Sequence, residues 1–171
     1  MSIVEQIIAE HSGENFSFYP FDLNEIIFEE RVKLNCFHCK HYNSKHTCPP
    51  KVRAFDFEKV FSEYDNAVVV KISMTYFTED EYESVRSSST NRLHKKLLEL
   101  ERLLWDKNYP LAISFIGGSC KLCKDECDKE RCRFPYKARI PWEATGANLV
   151  KTLNKSLGIK IDFTKENELC R

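Results

Sequence analysis

The sequence predicts an α/β protein of a single domain, with a mixed central sheet flanked by helices and two cysteine-rich metal-binding loops. Segments typical of strands alternate along the chain with segments of helical periodicity. With 171 residues, 42% of them hydrophobic, the chain can bury one sizeable core. Seven of its eight cysteines fall into two tight groups, each beginning close to the end of a predicted strand.

The N-terminal segment is predicted to form one helix and two strands. A serine followed three residues later by a glutamate forms a capping box, so residues 2–10 are expected to be an amphipathic helix. Aromatic and β-branched residues then predict strands over 16–21 and 26–34, joined by a turn at 22–24. The second strand would run directly into Cys36.

The middle of the chain is predicted to form a helix, a buried strand and a long helix. Apolar residues at helical spacing predict a helix over 54–64, and a β-branched run predicts a strand over 67–76. Thr78 is a suitable cap for a helix extending to about residue 107, whose leucines form an apolar stripe. The serines at 87–89 are a candidate interruption of this helix.

The C-terminal part is predicted to contain two further strands and a helix. Residues 111–116 are expected to form a strand that ends at a pair of glycines. Residues 142–157 are expected to form a helix stopped by Gly158, and residues 159–163 a short final strand. If the strands before the two cysteine groups are parallel, both groups emerge at one edge of the sheet and can share a pocket.

Composition restricts the class of partner. The 26 basic and 26 acidic residues cancel, which argues against nucleic acid and anionic membranes. No segment approaches the roughly 18 apolar residues of a membrane helix. The N-terminus also lacks the basic region followed by an apolar region that is typical of a signal peptide. We therefore expect a cytoplasmic protein without a membrane partner, in which disulfides are rare.

The second cysteine group has the composition of a complete metal site. It consists of Cys120, Cys123, Cys127 and Cys132, which are separated by two, three and four residues. Four thiolates suit either a tetrahedral zinc ion or a 4Fe–4S cluster. Iron and sulfur are favoured because structural zinc loops commonly contain two C-x-x-C knuckles, and this loop has one. The glycine pair before the loop would let backbone amides approach cluster sulfurs.

The first cysteine group is one ligand short. Its three thiolates, which are followed by two prolines, are Cys36, Cys39 and Cys48. A closed zinc site needs a fourth ligand, and His41 and His46 are candidates for an additional ligand or a proton donor. A 4Fe–4S cluster with three thiolates would instead keep one iron open, the catalytic feature of an enzyme. Alternatively, Cys132 or Cys170 completes the set.

Charged residues near the cysteines allow two interpretations. Between Arg31 and Phe55 the chain has cations and no acidic residue. Cations would stabilise a cluster that carries negative charge, but a solvated basic surface has the same composition. Glu143, which follows the second group, is expected to start the last helix rather than to act as a general acid.

The cysteine pattern resembles a known family. The matching motifs are a C-x-x-C pair followed by Cys48-Pro-Pro, then Gly-x-Cys120-x-x-Cys, and finally Cys132-x-x-Pro. Together they resemble domain-of-unknown-function 2284, a family of cysteine-rich predicted metal-binding proteins, over about residues 31–158. The stretch beginning at Glu143 resembles the family's Glu-Ala-x-Gly, whereas the family's preceding Arg-Pro-Ser-Met is Arg-Ile-Pro-Trp here. The resemblance implies metal binding by all seven clustered cysteines and implies no particular reaction.

These observations favour a cytoplasmic iron–sulfur protein with one or two 4Fe–4S clusters. It would exchange electrons with a redox partner protein, or carry out redox or sulfur chemistry on a small-molecule substrate at an open iron. The first alternative is a zinc-stabilised structural or interaction module, with His46 completing the first group. The second is an RNA-binding module, for which Phe37, Tyr42 and Phe55 are the aromatic residues available for stacking.

Overall fold

The computed structural model describes residues 2–13, 15–75, 78–161 and 168–170, with the backbone alone described at residue 79 and over 168–170. The chain divides into two compact units. Unit 1 comprises Met1–Phe28, Asp56–Ser89 and Asn148–Arg171, and unit 2 comprises Glu29–Phe55 and Thr90–Ala147. Both cysteine groups lie in unit 2. The expectation of one domain over residues 1–171 stays a prediction.

The described residues form both helices and strands. In chain order they are α1 Ile3–His11, β1 Phe16–Phe21, α2 Glu30–Phe37, α3 Phe57–Ser62, β2 Ala67–Thr75, α4 Glu79–Asp106, α5 Leu149–Leu157 and β3 Glu168–Cys170. Short 3-10 turns lie at Leu23–Glu25 and Trp142–Thr145. The predicted α/β content is confirmed. Within the described residues, no helix combines the length and apolarity needed to cross a bilayer.

Unit 1 contains the sheet, in the strand order β1-β2-β3. Both strand pairs are antiparallel, with Phe16 opposite Ile72 in the first of them. The mixed sheet predicted from the sequence is therefore wrong for the strands that the structure describes. Two parallel strands need a long crossover connection between them. Two of the strands predicted to take part in such pairs, those over residues 26–34 and 111–116, do not form. Helix α1 lies against β1, and its Ile7 is buried with Phe18 and Ile72.

Two helix ends, the start of α1 and the end of α5, agree with the sequence. The helix predicted over 142–157 begins only at Leu149, where the Asn148 side chain caps it, and its first residues form the 3-10 turn Trp142–Thr145 instead. The capping box of α1 forms, with the backbone N–H of Glu5 donating to Ser2 Oγ at 3.2 Å. Helix α5 ends at Gly158, whose φ of 65° is the left-handed conformation that favours glycine. Helix α4 runs through its serines without interruption, and the Ser89 hydroxyl donates to the Arg86 carbonyl.

The strand predicted over residues 26–34 is wrong. Residues from Glu30 onward form α2, and Cys36 lies in its last turn. In a strand, Val32 and Leu34 would share one face, but Val32 is 9% exposed and Leu34 is 62% exposed. Their different burial fits the periodicity of a helix.

The two strands predicted in the C-terminal part do not appear as predicted. Over residues 111–116 only Ile116 pairs, in an isolated parallel bridge with Pro141. Leu111 is 79% exposed, so this segment lacks the sheet neighbours that would bury it. Residues 159–161 are not in a strand, and the rest of the strand predicted over 159–163 lies outside the described residues.

Unit 2 combines α2, the larger part of α4, the turn Trp142–Thr145 and two loops. We call residues 38–55 the first cysteine loop and residues 117–138 the second cysteine loop. Neither loop contains a helix or strand. The buried apolar residues of unit 2 include Leu93 and Leu100 of α4, together with Ile116 and Ala147. This core fixes the elements from which the cysteine loops emerge.

Candidate metal centre

The first cysteine group straddles the end of α2. Cys36 is in the last turn of the helix, and the backbone N–H of Cys39 donates to the Cys36 carbonyl at 3.1 Å. Cys39 is exposed and Cys48 is buried. The backbone N–H of His41 donates to Cys39 Sγ at 3.4 Å. An amide that donates to a sulfur atom helps to orient that atom as a ligand.

The second cysteine group surrounds one cavity. Its four thiols, with His46, Thr47 and three apolar side chains, line a space of about 10 Å³. The backbone N–H of Leu122 hydrogen-bonds Cys120 and lowers the pKa of that thiol, although burial raises it by more. Both groups therefore contain a cysteine whose sulfur accepts a hydrogen bond from the amide two residues later.

Contacts between the two cysteine loops bring the groups together. His46 Nε2 donates to the Asp128 carbonyl at 2.7 Å. Thr47, next to it, lines the cavity of the second group, and a charge on Cys120 acts on Cys48. The expectation that the two groups are neighbours is thus confirmed, but the parallel strands from which it was inferred are not. The strands invoked for it are absent, and loop contacts place the groups side by side.

The predicted histidine ligands have unequal positions. His46 uses Nε2 to bond the second cysteine loop, so Nδ1 is the nitrogen that remains for a metal or a proton. His41 is half-buried, and its backbone amide donates to Cys39 of the first group. A ligand role for either side chain stays a prediction.

Burial raises the pKa of Cys36, Cys48, Cys120 and Cys123, and so favours the protonated form of these four thiols in the absence of a cation. It raises the pKa of Cys48 to about 11, with further increases from Cys39, Cys36 and Cys120. The Thr47 hydroxyl lowers this pKa, yet Thr47 Oγ1 is buried and reaches no partner with standard hydrogen-bond geometry in the described residues. The pKa of Cys123 is also raised, chiefly by burial and by Cys127. A metal would have to displace these protons.

The thiols converge without forming a finished ligand set. Across the part of the chain that the structure describes, no three His, Cys, Asp or Glu side chains are arranged to hold one metal ion. The two loops are therefore not confirmed as metal sites. Neutral thiols have no charge to draw them inward, and thiolates would repel one another. The donor set suits a thiophilic metal, and side-chain movements would be needed to complete its coordination.

Helix α4 anchors the end of the second cysteine loop. The buried carboxylate of Glu101 accepts hydrogen bonds from the Arg139 guanidinium, including one from Nε at 2.7 Å, and from Ser114. Two turns earlier in α4, His94 Nε2 donates to the Lys137 carbonyl at 2.8 Å. These contacts fix the backbone that leads away from Cys132.

Glu143 bonds the start of the second cysteine loop and its charge acts on Cys36 of the first group, which the sequence interpretation missed. Its Oε2 accepts a hydrogen bond from the Gly118 amide at 3.4 Å, two residues before Cys120. Its charge raises the pKa of Cys36, after the larger effect of burial. The Gly118 amide, expected to approach a cluster sulfur, thus bonds a carboxylate instead. The signal available in the sequence was the Glu-Ala-x-Gly stretch that starts at this residue.

Comparison with known proteins supplies the family and nothing finer. No curated protein and no solved structure matches the chain. One family model, described as a predicted metal-binding protein (DUF2284), matches residues 20–170, which include all seven clustered cysteines and Glu143. The chain therefore belongs to the DUF2284 family of predicted metal-binding proteins.

Proposed function

We propose that the protein is a cytoplasmic iron–sulfur protein whose second cysteine loop holds a 4Fe–4S cluster. Its ligands would be Cys120, Cys123, Cys127 and Cys132. The observation that carries the proposal is the convergence of these four thiols on one cavity, from a loop free of helix and strand. Such a loop can wrap a cluster because no regular hydrogen-bond ladder opposes its adjustment. Cys36, Cys39 and Cys48 would hold a second centre.

A bound cluster would supply one-electron transfer, and a cluster with three thiolates would add an iron open to a small substrate. The chain's own residues would bind and tune these centres. Amides of His41 and Leu122 donate to sulfur, and the charge of Arg133 lowers the pKa of Cys123. Cys48 and Cys120 are buried, which limits access of water. A redox partner or small substrate would approach through the exposed Cys39 side.

A zinc-stabilised module is the second candidate, and the size of the cavity favours it. A space of about 10 Å³ is that of about one water molecule. One zinc ion among four thiolates would need less displacement of the loop than a cubane cluster. A second zinc ion held by Cys36, Cys39, Cys48 and His46 would have to use His46 Nδ1, since Nε2 bonds the Asp128 carbonyl.

Iron, zinc and acid-labile sulfide analysis of protein purified without oxygen separates the two candidates. The iron–sulfur proposal predicts a brown protein with iron and sulfide in equal amounts. A colourless protein that contains zinc and no sulfide would contradict it and support the zinc module. Substitution of Cys132 by serine should lower the metal content of the second group while leaving that of the first, unless Cys132 serves both groups.

A further inference from the structure

We propose that the Thr47 hydroxyl donates a hydrogen bond to a sulfur atom of the metal centre held by the second cysteine group. The inference rests on the proposed metal-binding function, and it makes a residue of the first cysteine loop part of the second centre. Thr47 is then a positioning residue, because it binds no metal itself and acts through the sulfur that it bonds. No cysteine spacing indicates this residue, since Thr47 and Cys120 are far apart in the chain.

The position of Thr47 carries the first step. Thr47 lines the cavity of about 10 Å³ that the four thiols of the second group surround. A cavity of this size holds about one water molecule, so the residues that line it lie close to one another. The residue before it is tied to the second cysteine loop, because His46 Nε2 donates to the Asp128 carbonyl at 2.7 Å. Thr47 is therefore a neighbour of these thiols in the fold.

The second step is a buried hydroxyl that lacks a partner. Thr47 is 7% exposed, and its Oγ1 is buried. Among the described residues this oxygen forms no hydrogen bond with standard geometry, not even with the neighbouring thiol of Cys48. Burial of a hydroxyl without a hydrogen bond is unfavourable, so such a group in a native protein points to a bound ion or ligand that supplies its partner.

The other side chains at the cavity leave the donor role to Thr47. Apart from the thiols and Thr47, the lining consists of His46 and three apolar residues, Leu122, Phe134 and Ala138. His46 uses the proton on Nε2 for the Asp128 carbonyl, so the neutral ring has only an acceptor at Nδ1. Among the described side chains that line the cavity, the Thr47 hydroxyl is therefore the donor that is not itself a thiol.

The chemistry of a thiolate centre supplies the acceptor. Four thiolates around a zinc ion or an iron–sulfur cluster carry negative charge on sulfur. Hydrogen bonds to these sulfurs stabilise that charge and orient the ligands, and the apolar walls of the cavity leave little water to replace them. A hydroxyl hydrogen rotates to suit its acceptor, so Thr47 can direct it to the nearest sulfur.

Cobalt(II) is a suitable probe, because the energy of its thiolate charge-transfer band reports the electron density on sulfur. The full chain would be stripped of metal and titrated anaerobically against a competing chelator, both unsubstituted and in a background of Cys36→Ser and Cys39→Ser that disables the first group. Thr47→Val has the same shape without the hydroxyl, and Thr47→Ser keeps the hydroxyl. Thr152→Val is the matched control: Thr152 is fully buried in unit 1, where its hydroxyl accepts from the Ile27 N–H at 3.0 Å.

We expect Thr47→Val to bind cobalt about 10- to 100-fold more weakly in both backgrounds, as is typical when an outer-sphere partner of a metal ligand is lost. Its charge-transfer band should move to longer wavelength, because a sulfur without the hydrogen bond gives up electron density more readily. Thr47→Ser and Thr152→Val should match their parent chains. An unchanged Thr47→Val titration, or an equal effect of Thr152→Val, would overturn the proposal. An effect that disappears with Cys36→Ser and Cys39→Ser would assign the hydroxyl to the first group and overturn it too.

A chain that holds an iron–sulfur cluster and takes up no cobalt allows the same comparison by reduction potential. A hydrogen bond to sulfur stabilises the more negative reduced state, so Thr47→Val should lower the potential and Thr47→Ser should not. Equal potentials in Thr47→Val and the unsubstituted chain would contradict the proposal.

Two further outcomes keep this inference separate from the proposed function. If the unsubstituted chain binds cobalt and the Thr47 variants do not differ from it, only the role of Thr47 fails. If it binds no cobalt, iron or zinc, the proposed function fails and the inference fails with it. Should circular dichroism show that Thr47→Val is unfolded, Thr47→Ser is compared with Thr47→Ala, which differs from it by the hydroxyl alone. Equal cobalt affinities of these two variants would then refute the role of the hydroxyl.

Discussion

His46 joins the two cysteine loops through a single hydrogen bond from Nε2 to the Asp128 carbonyl. This contact makes the histidine a structural part of the site, whether or not Nδ1 binds a metal. Thr47 and Cys48, the next two residues, are both buried. A change at His46 is therefore transmitted to a cysteine and to the cavity of the second group.

Two amide substitutions distinguish the roles of His46. In His46→Gln the side-chain N–H₂ lies near the position of Nε2 and can keep the bond to Asp128, whereas in His46→Asn it lies near Nδ1. We expect His46→Gln to keep nearly wild-type metal affinity and His46→Asn to lose about 10- to 100-fold. Metal competition titrations with a chelator measure this, with His38→Gln as the control. The reverse order would identify Nδ1 as a ligand.

Gly146 is required by its own backbone conformation, with a φ of 88°. An alanine there costs about 1–2 kcal/mol for the left-handed conformation, and must also displace the end of the Lys33 side chain. Gly117 is a matched control, since its added Cβ meets nothing within 4 Å. Urea unfolding should show Gly146→Ala to be destabilised by that amount and Gly117→Ala to be within about 0.5 kcal/mol of wild type. Equal effects would refute this explanation.

Helix α4 is the element that holds the end of the second cysteine loop. Glu101 is 3% exposed and Arg139 is 11% exposed in their ion pair, so both charges are largely removed from water. The pair is satisfied by further hydrogen bonds: Ser114 donates to the carboxylate, and Arg139 Nη1 donates to the Tyr136 and Ala138 carbonyls. Removal of one partner would leave a buried charge uncompensated.

Glu101→Gln should therefore destabilise the protein by about 3–5 kcal/mol. Glu99→Gln on the same helix is the control, because the Glu99 side chain is 69% exposed and its pair with Lys96 is long at 3.5 Å. We expect that control to cost less than about 0.5 kcal/mol. Denaturant unfolding monitored by circular dichroism compares the two. A cost at Glu101 no greater than at Glu99 would show that α4 does not anchor the loop.

His94 should give the protein a pH-dependent stability. Burial and the charge of Arg139 lower its pKa below 6.5, against the opposing effects of the Lys137 carbonyl and Glu101. The unfolded chain then takes up the proton at a higher pH than the folded protein. The stabilisation is complete above pH 6.5 and is lost as the pH falls toward the folded pKa.

Free energies of unfolding measured from pH 8 downward test the role of His94. Wild type should lose stability progressively below about pH 6.5. His94→Gln can keep a donor to the Lys137 carbonyl but cannot take up a proton, so its slope in this range should be smaller. Parallel pH profiles of the two proteins would exclude His94 as the source.

The elements that the sequence predicted well are those decided by local signals. The capping box at Ser2 and the left-handed stop at Gly158 act within a few residues, and both helix ends were predicted. The strand predicted over residues 26–34 was wrong because the short sequence from Val32 to Leu34 fits the period of a strand as well as that of a helix. Only packing against the rest of the fold decides between a strand and a helix here. In α2, Val32 is buried and Leu34 is exposed.

For the molecule as a whole, the composition of the candidate site could be predicted and its geometry could not. Thiol spacing identified the two groups, because metal ligands impose local constraints on sequence. The contact that joins them, from His46 to Asp128, and the bond from Gly118 to Glu143 at the start of the second loop both connect residues far apart in the chain. Such pairings follow from tertiary packing, and no periodicity in one sequence reveals them.

For the whole molecule, we propose above all that thiolates of unit 2 bind metal. X-ray absorption at the edge of the metal retained by wild-type protein tests it most directly, because it measures the distances to the ligand atoms. We expect sulfur neighbours at about 2.3 Å, with an additional iron–iron distance if a cluster is present. A metal surrounded only by oxygen or nitrogen at about 2.0–2.2 Å would contradict it.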